Sequence, residues 1–476
     1  MSTKAFMSRT VGPATIAIPE FACVRSDHGG GSDGSWCECT EDRNGVPHTR
    51  GTHHNRIEFA HEPPNNRRRR EIRVALYSHD TLGLGHLRRN LLIAQALTQS
   101  HLKATNLLVT GAYESNFFSL PEGTDCFTLP RLQKDVDGSY ASGQWAMSIG
   151  ELLKLRSEAI HSALTAYEPD LFIVDKVPGG AFGELLPTLR SLKERGTSQC
   201  ILGLRDILDD PETVAAEWND LSCNQVIDDY YDSIWIYGDQ QVYDPVSQYN
   251  WSSRISHKVH FTGYLDQRSR ISDRESSNHD VGETFCDTSS PLFLCALGGG
   301  KDGFRLAEVF IQAVRNARAR GIVLAGPFMS RELYSTLKLH AEGCSNLRVL
   351  DFAKEADQLV HHADGVVAMA GYNTVASILS FNKPAVLVPR VHPRQEQWIR
   401  ASRMAELGLV DVLHPDSLTP HALESWFASV KQQNNSSHIV ASATCKMDGL
   451  DRIVSLASQM LVNAHSQHIR EANERL

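Results

Sequence analysis

The run Gly83-Leu84-Gly85-His86-Leu87-Arg88 joins the apolar segment IRVALYS to the helical pattern LRRNLLIAQAL. Glycines let the backbone turn tightly there. An imidazole just past the C-terminal end of a strand lies where open α/β sheets take ligands. With an unperturbed pKa of ~6.5, His86 can accept or give a proton near neutrality. The run is not a dinucleotide fingerprint, because Arg88 stands where the third glycine would let helix and strand pack closely. The plain alternative leaves the glycines as turn chemistry and His86 as an ordinary helix N-terminal residue.

Three further segments carry chemistry. Gly298-Gly299-Gly300-Lys301-Asp302-Gly303 follows the apolar run PLFLCAL and opens a helix. Consecutive glycines let backbone N–H groups approach an anion, and a helix N-terminus favours negative charge. No GK[ST] closes the loop, so it is not an NTPase P-loop. Ala370-Gly371-Tyr372-Asn373-Thr374-Val375 follows DGVVAM and makes a second glycine turn into a helix, with Asn373 or Thr374 placed to cap it. Two such turns in one domain suit a diphosphate. In Pro384–Ala401, PAVLVPRVHPRQEQWIRA, a strand ends at Pro389 and Gln395, Glu396 and Gln397 open the next helix. Their carboxylate and amide groups suit sugar hydroxyls, or else form a polar helix start.

These segments need a scaffold, and hydropathy supplies one. From Ile72 onward, short continuous apolar runs alternate with amphipathic stretches: IRVALYS, ATNLLVT, LFIVD, CILGL and SIWIYG in the first half, with helices near 146–167, 181–195 and 211–229. PLFLCAL, GIVLAG, NLRVLDF, DGVVAMA and PAVLVP repeat the alternation in the second. Strands buried on both faces read this way, and helices between them are the crossovers of a parallel sheet. The expected class is α/β, two Rossmann-like doubly wound domains facing a central cleft. Expected boundaries are a disordered tail over 1–70, a first domain over 71–267, a polar linker over 268–290 and a second domain over 291–445. The segment 446–476 is expected to be a helix packing back across the domain boundary. Its residues Leu450, Ile453, Val454, Ala457, Met460 and Leu461 share one helical face.

Composition narrows the classes. The 476 residues carry a net charge of −9, 41% hydrophobic and 22% charged side chains, so no global basic field invites nucleic acid. Ten cysteines lack a framework spacing, and Cys200 and Cys295 fall inside apolar runs, which suits a reducing, cytoplasmic setting. No apolar run reaches the ~18 residues a membrane span needs. The opening residues lack the compact apolar core of a secretory signal. Cys37 and Cys39 with His48, His53 and His54 do not follow a zinc-finger spacing. Arg67 to Arg70 form a basic run that could touch anionic lipid or nucleic acid, or simply a solvated boundary. Asp135-Val136-Asp137 is a DxD in a polar loop and is read as turn chemistry rather than a metal site. No HExxH occurs, and no nucleophile elbow is read between a strand and a helix.

The last three segments, in this order and spacing, resemble the donor domain of the family 28 glycosyltransferases. That group spans enzymes adding N-acetylglucosamine to a lipid-linked acceptor and plant galactolipid synthases. The likeness runs from about 72 to 465 and is strongest from Pro291 to Leu413. It implies a GT-B fold, a UDP-sugar donor, inversion at the anomeric carbon, no obligatory metal and no cofactor beyond the nucleotide-sugar co-substrate. On that likeness Gly298, Gly299, Gly300, Lys301, Gly303, Gly371, Asn373 and Thr374 would meet the diphosphate. Phe352 and Ala353, in RVLDFAKEAD, would read the base, and Glu396 and Gln397 the sugar. The GLGH run resembles the family's glycine-rich histidine motif, which makes His86 the candidate base. The family commonly grips the ribose with a glutamate where this chain has Ser377.

On the same likeness the first domain would meet the acceptor. Gly83, Gly85, Arg88, Asp175, Lys176, Arg205 and Asp206 lie at its strand ends and are the candidate contacts, or else ordinary strand-end charges. The acceptor is unnamed; a lipid-linked one would bring the chain to the inner face of a membrane as a peripheral protein. Two rival readings remain. GxGHxxR also resembles a UDP-sugar hydrolase in which the histidine activates water. A sugar-nucleotide-binding protein without catalysis is the other, and Ser377 favours it.

Overall fold

In the computed structural model the first half of the chain forms one seven-stranded sheet and the second half a six-stranded one. Residues 71–79, 85–112, 119–134, 140–142, 146–271, 290–351, 353, 356–433 and 445–474 are described. The segment 1–70, with its cysteines, histidines and arginine run, lies outside them. So do Gly83, the Asp135–Asp137 motif, Phe352 and most of the expected linker. Arg67–Leu476 form one compact unit.

The first sheet contains β1 (Arg73–Ser78), β2 (Thr105–Thr110), β3 (Thr124–Thr128), β6 (Leu171–Asp175), β7 (Gln199–Arg205), β8 (Ser233–Tyr237) and β9 (Val259–Phe261), in the order β3-β2-β1-β6-β7-β8-β9. Every pairing in it is parallel. Two short strands, β4 (Leu132–Lys134) and β5 (Tyr140–Ser142), make a separate antiparallel hairpin. The second sheet contains β10 (Leu292–Ala296), β11 (Arg320–Leu324), β12 (Leu347–Leu350), β13 (Gly365–Ala368), β14 (Ala385–Leu387) and β15 (Asp411–Val412), in the order β12-β11-β10-β13-β14-β15, also parallel. The doubly wound α/β expectation therefore holds in both halves.

The apolar runs explain this arrangement. LFIVD and LFLCA are buried along their whole length, as strands covered by helices on both faces must be. Each sheet has one switch point, between β1 and β6 and between β10 and β13. There the chain turns to wind the other way, and a crevice opens past the carboxyl ends of the strands. One apolar cluster runs through both halves, joining Leu92 and Ile173 to Ile322, Val366 and Leu387. The closing helix Gly449–Glu474 packs on the first-half helix Gly85–Gln99 and contributes Ile453, Leu456 and Ala457 to that cluster.

Local departures have local causes. The helix expected near 211–229 is two, Pro211–Asp220 and Cys223–Tyr230, broken where Ser222 adopts φ 50°. The helix expected near 181–195 starts later, at Leu186, after a turn containing Gly180 and Gly183 at positive φ. The helix Ile149–Tyr167 begins at a capping box, Ser148 with Glu151.

Candidate functional site

His86 enters at the second residue of helix Gly85–Gln99, just beyond β1. Across the first switch point, Asp175 is the last residue of β6. Its Oδ2 lies 3.2 Å from Nδ1 of His86, whose side chain is 15% exposed while Asp175 is wholly enclosed. Arg89, one helical turn on, donates to both carboxylate oxygens at 2.8 and 2.5 Å. Burial by itself would raise the Asp175 pKa; the charge of Arg89, with His86, outweighs it and holds the carboxyl below the usual carboxylate range. Asp175 is thus an ionised acceptor beside Nδ1 of His86, and the same ring nitrogen lies 3.0 Å from Nη2 of Arg89, which can only donate.

This geometry corrects two expectations. Asp175 has no surface to offer an acceptor and acts only through His86. Asp206 is also buried; it pairs with Arg400 at 2.6 Å and accepts the Tyr264 hydroxyl at 2.7 Å. Arg400 in turn donates to the carbonyl of Ala370 at 2.9 Å, so Asp206 bolts the second glycine turn to the floor of the first sheet. Arg88 lines the cavity, but its guanidinium is bound to Asp357 at 2.8 Å. Lys176 follows Asp175 at φ 76°, half-buried, and Arg205 lines the cavity.

The two glycine turns behave differently. Gly298 and Gly300 sit at φ 62° and 88°, the left-handed region that favours glycine. A Cβ on Gly300 would collide with the carbonyl of Ala325, because this turn interlocks with the one after β11 through the Phe328 N–H to Gly299 carbonyl bond at 3.0 Å. Gly303 caps helix Phe304–Ala317 without a side-chain hydrogen bond. Gly371 does the same for helix Tyr372–Ser380, and a Cβ there would meet nothing within 4 Å. The expectation that Asn373 or Thr374 caps that helix fails. Asn373 instead donates across the cleft to the carbonyl of Gly85 at 2.9 Å, and both residues line the cavity.

That cavity, of about 370 Å³, takes in Gly85 and His86 on one side and Gly298–Asp302, Ala353, Gly371, Asn373, Thr374 and Gln397 on the other. Among the described lining residues His86, Arg88, Arg89, Arg205, Lys301 and Arg390 are basic, and Asp302 is the one acid. Of the three residues opening helix Glu396–Glu406, Gln397 reaches the cavity. Glu396 is buried against Arg390 at 2.8 Å. Gln395 is exposed and spends its backbone N–H on Asp209 at 2.8 Å, away from the cavity.

Ser377 faces inward. Its hydroxyl donates to Asp357 at 2.6 Å, and the other oxygen of Asp357 receives Arg88 at 2.8 Å and Arg270 at 3.1 Å. The position expected to face a ribose is therefore part of a buried ion cluster joining the two halves.

His79, Arg89 and Arg390 are missing from the sequence reading. The His79 ring lies 5.3 Å from that of His86. Burial first, then the nearby His86 and Lys176, push its pKa well below the ordinary value, so it is neutral. The signal that could have found it is the one that found His86, since His79 directly follows strand β1. Arg89 and Arg390 carried no signal of their partners Asp175 and Asp302, which are remote in sequence.

Residues 299–453 match the glycosyltransferase family 28 C-terminal domain. The matched segment falls in the second of the two parallel-sheet halves, which together make a GT-B fold. The family 28 domain holds both glycine turns from Gly299 onward and the Pro384–Ala401 segment. A curated relative, UDP-N-acetylglucosamine–N-acetylmuramyl-(pentapeptide) pyrophosphoryl-undecaprenol N-acetylglucosamine transferase of Methylorubrum extorquens, is 25% identical over 182 residues, covering 36% of this chain and 49% of the relative. The chain thus spans about half the length of the curated relatives it matches. Two solved structures share the fold at a TM-score of 0.53. A UDP-glucose:anthocyanidin 3-O-glucosyltransferase in complex with UDP is 11% identical, with 83% of this chain and 94% of that one covered. A Listeria monocytogenes protein described as a UDP-N-acetylglucosamine 2-epimerase is 10% identical, with 84% and 97% covered. Among the described residues no helix is long and apolar enough to cross a membrane.

Proposed function

We propose that the chain is a glycosyltransferase that moves a hexose or N-acetylhexosamine from a UDP-sugar to an acceptor hydroxyl, with inversion and without a metal or resident cofactor. One observation carries this reading: the Gly298–Asp302 turn, the uncapped helix start at Gly371 and the His86 imidazole line the same cavity, together with Lys301 and Arg205. The family 28 match over 299–453 supports it independently.

The chemistry follows. The His86 imidazole takes the proton of the acceptor hydroxyl, while Asp175 stabilises the imidazolium that forms. The new bond forms at the anomeric carbon as the bond to the diphosphate breaks, which inverts that carbon. Backbone N–H groups at Gly298, Gly299 and Gly371, with Lys301, stabilise the departing diphosphate. Thr374 and Asn373 lie beside it. Ala353 borders the base, and Gln397 reads the sugar with Glu396 behind it. The Methylorubrum extorquens relative's acceptor is a pyrophosphoryl-undecaprenol; a lipid-linked acceptor here would bring the chain to a membrane surface as a peripheral protein.

The test is a screen of UDP-sugars against acceptor mixtures, reading UDP release and product mass. Acceptor-dependent UDP release with a new glycoside supports transfer. Rapid stoichiometric UDP release without acceptor would point to hydrolysis by His86. UDP binding with equal, negligible turnover in wild type and His86→Ala would leave only a binding protein.

A further inference from the structure

Lys176 and Arg205 end neighbouring strands of the first sheet. Lys176 follows β6 and donates its backbone N–H to the carbonyl of Gly203 at 2.8 Å, two residues before Arg205 closes β7. Among the described residues, each carboxylate near them already has another cation. Asp175 holds Arg89 and His86, Asp206 holds Arg400, Asp209 and Glu217 share Arg394, and Glu396 holds Arg390. Among the described residues Nε of Arg205 is buried without a hydrogen-bond partner, and Arg205 lines the cavity. Burial leads the causes that lower both cations, Lys176 to about 8 with the charge of Arg205 next. Two cations held together in a partly desolvated recess, with no carboxylate of their own, are stabilised by an anion brought from outside.

We propose that Lys176 and Arg205 form an anion subsite, and that it holds a phosphate or carboxylate group of the acceptor close to the hydroxyl presented to His86. The acceptor part of this rests on the transferase reading. The donor's diphosphate has its own partners in the glycine turns and Lys301 of the second sheet, whereas this pair flanks Asp175 in the first. Both residues also lie outside the segment that matches the family domain. The subsite is therefore read from the charge pattern of this chain.

The experiment titrates the full chain, saturated with UDP to fill the donor site, with inorganic phosphate and separately with acetate, by calorimetry. At least one anion binds alongside UDP, and Arg205→Gln or Lys176→Gln weakens it by about tenfold or more, as loss of a charge-assisted contact does. Binding of phosphate alone assigns a phosphoryl-bearing acceptor; binding of acetate alone assigns a carboxylate-bearing one. Arg205→Lys and Lys176→Arg retain most of the affinity, and UDP affinity in every variant shows that the protein is folded. No anion binding once UDP is bound, unchanged binding in the Gln variants, or UDP affinity falling in step with anion affinity each overturns the proposal. A wild-type protein that fails to bind UDP sinks the transferase reading instead. Loss of phosphate binding in Arg205→Gln without UDP would then keep the subsite and overturn only its assignment to an acceptor.

Discussion

Asp175 ends one of the two strands that flank the first switch point, His86 follows the other, and 3.2 Å separates the Asp175 carboxylate from the His86 imidazole. Their nearness does not rest on the chance of a loop. The parallel register Tyr77↔Val174 brings the ends of β1 and β6 level, and the following helix start turns the imidazole over the carboxylate.

The first prediction concerns this pair. His86→Ala should lower kcat by ~10²–10⁴, the usual worth of a positioned general base. Asp175→Asn keeps the shape but removes the charge that orients and stabilises the imidazolium, and should lower kcat by about 10² or more. Steady-state kinetics with a UDP-sugar and its acceptor would check both. An unchanged kcat in Asp175→Asn removes His86 from the role of base.

The same carboxylate makes a pH prediction. Its folded-state pKa lies below the unfolded value of ~3.9, so its contribution to stability is complete above that value and is lost as pH falls through the folded pKa. Urea denaturation of wild type and Asp175→Asn should show a gap that narrows as pH falls below about 4. A gap that stays unchanged down to about pH 2 contradicts the assignment.

The glycine turns separate strain from ligand contact. Gly300→Ala adds a Cβ against the Ala325 carbonyl at φ 88° and should cost about 2 kcal/mol or more in stability. Gly371 has φ −67° and open space, so Gly371→Ala should leave stability within about 0.5 kcal/mol. If a diphosphate sits on that helix start, the added methyl still weakens UDP binding. Calorimetry with UDP on the folded Gly371→Ala protein decides this, and equal affinity would place the diphosphate elsewhere.

Ser377→Glu tests the reading of the ion cluster. The new carboxylate would share a buried space with Asp357, which Arg88, Arg270 and the serine hydroxyl already satisfy. A second negative charge there should destabilise the protein by about 2–4 kcal/mol and should not tighten UDP. A gain in UDP affinity at unchanged stability would return position 377 to the ribose.

The bolt between the halves offers a last check. Asp206 and Arg400 are fully enclosed, so removing one partner, as in Arg400→Met, should cost about 3–5 kcal/mol by stranding the other charge. Combining it with Asp206→Leu should recover part of that loss. A denaturation cycle over the four proteins measures the coupling, and simple additivity would show that the ion pair carries no specific role.

The sheets were legible because strands buried on both faces must be continuously apolar, as LFIVD and LFLCA are, and because glycines mark where the chain leaves them. The positions of His86, Gly298–Gly300 and Gly371 at strand ends follow from the same pattern. The partners of those residues were not legible. Asp206 looked like any strand-end acid, and Asn373 like a helix cap. Arg394 and Arg400 bind carboxylates whose places in the chain give no hint of nearness.

By itself the sequence determined the alternation of strands and helices, the two doubly wound halves and the glycine turns, since hydropathy period and backbone freedom are local properties. Only the folded chain decided which charges are spent on holding the halves together and which remain for a ligand. Asp175, Asp206 and Asp357 are neutralised by arginines from distant helices, while Lys176 and Arg205 are not, and that difference arises from which side chains meet when two sheets close on each other.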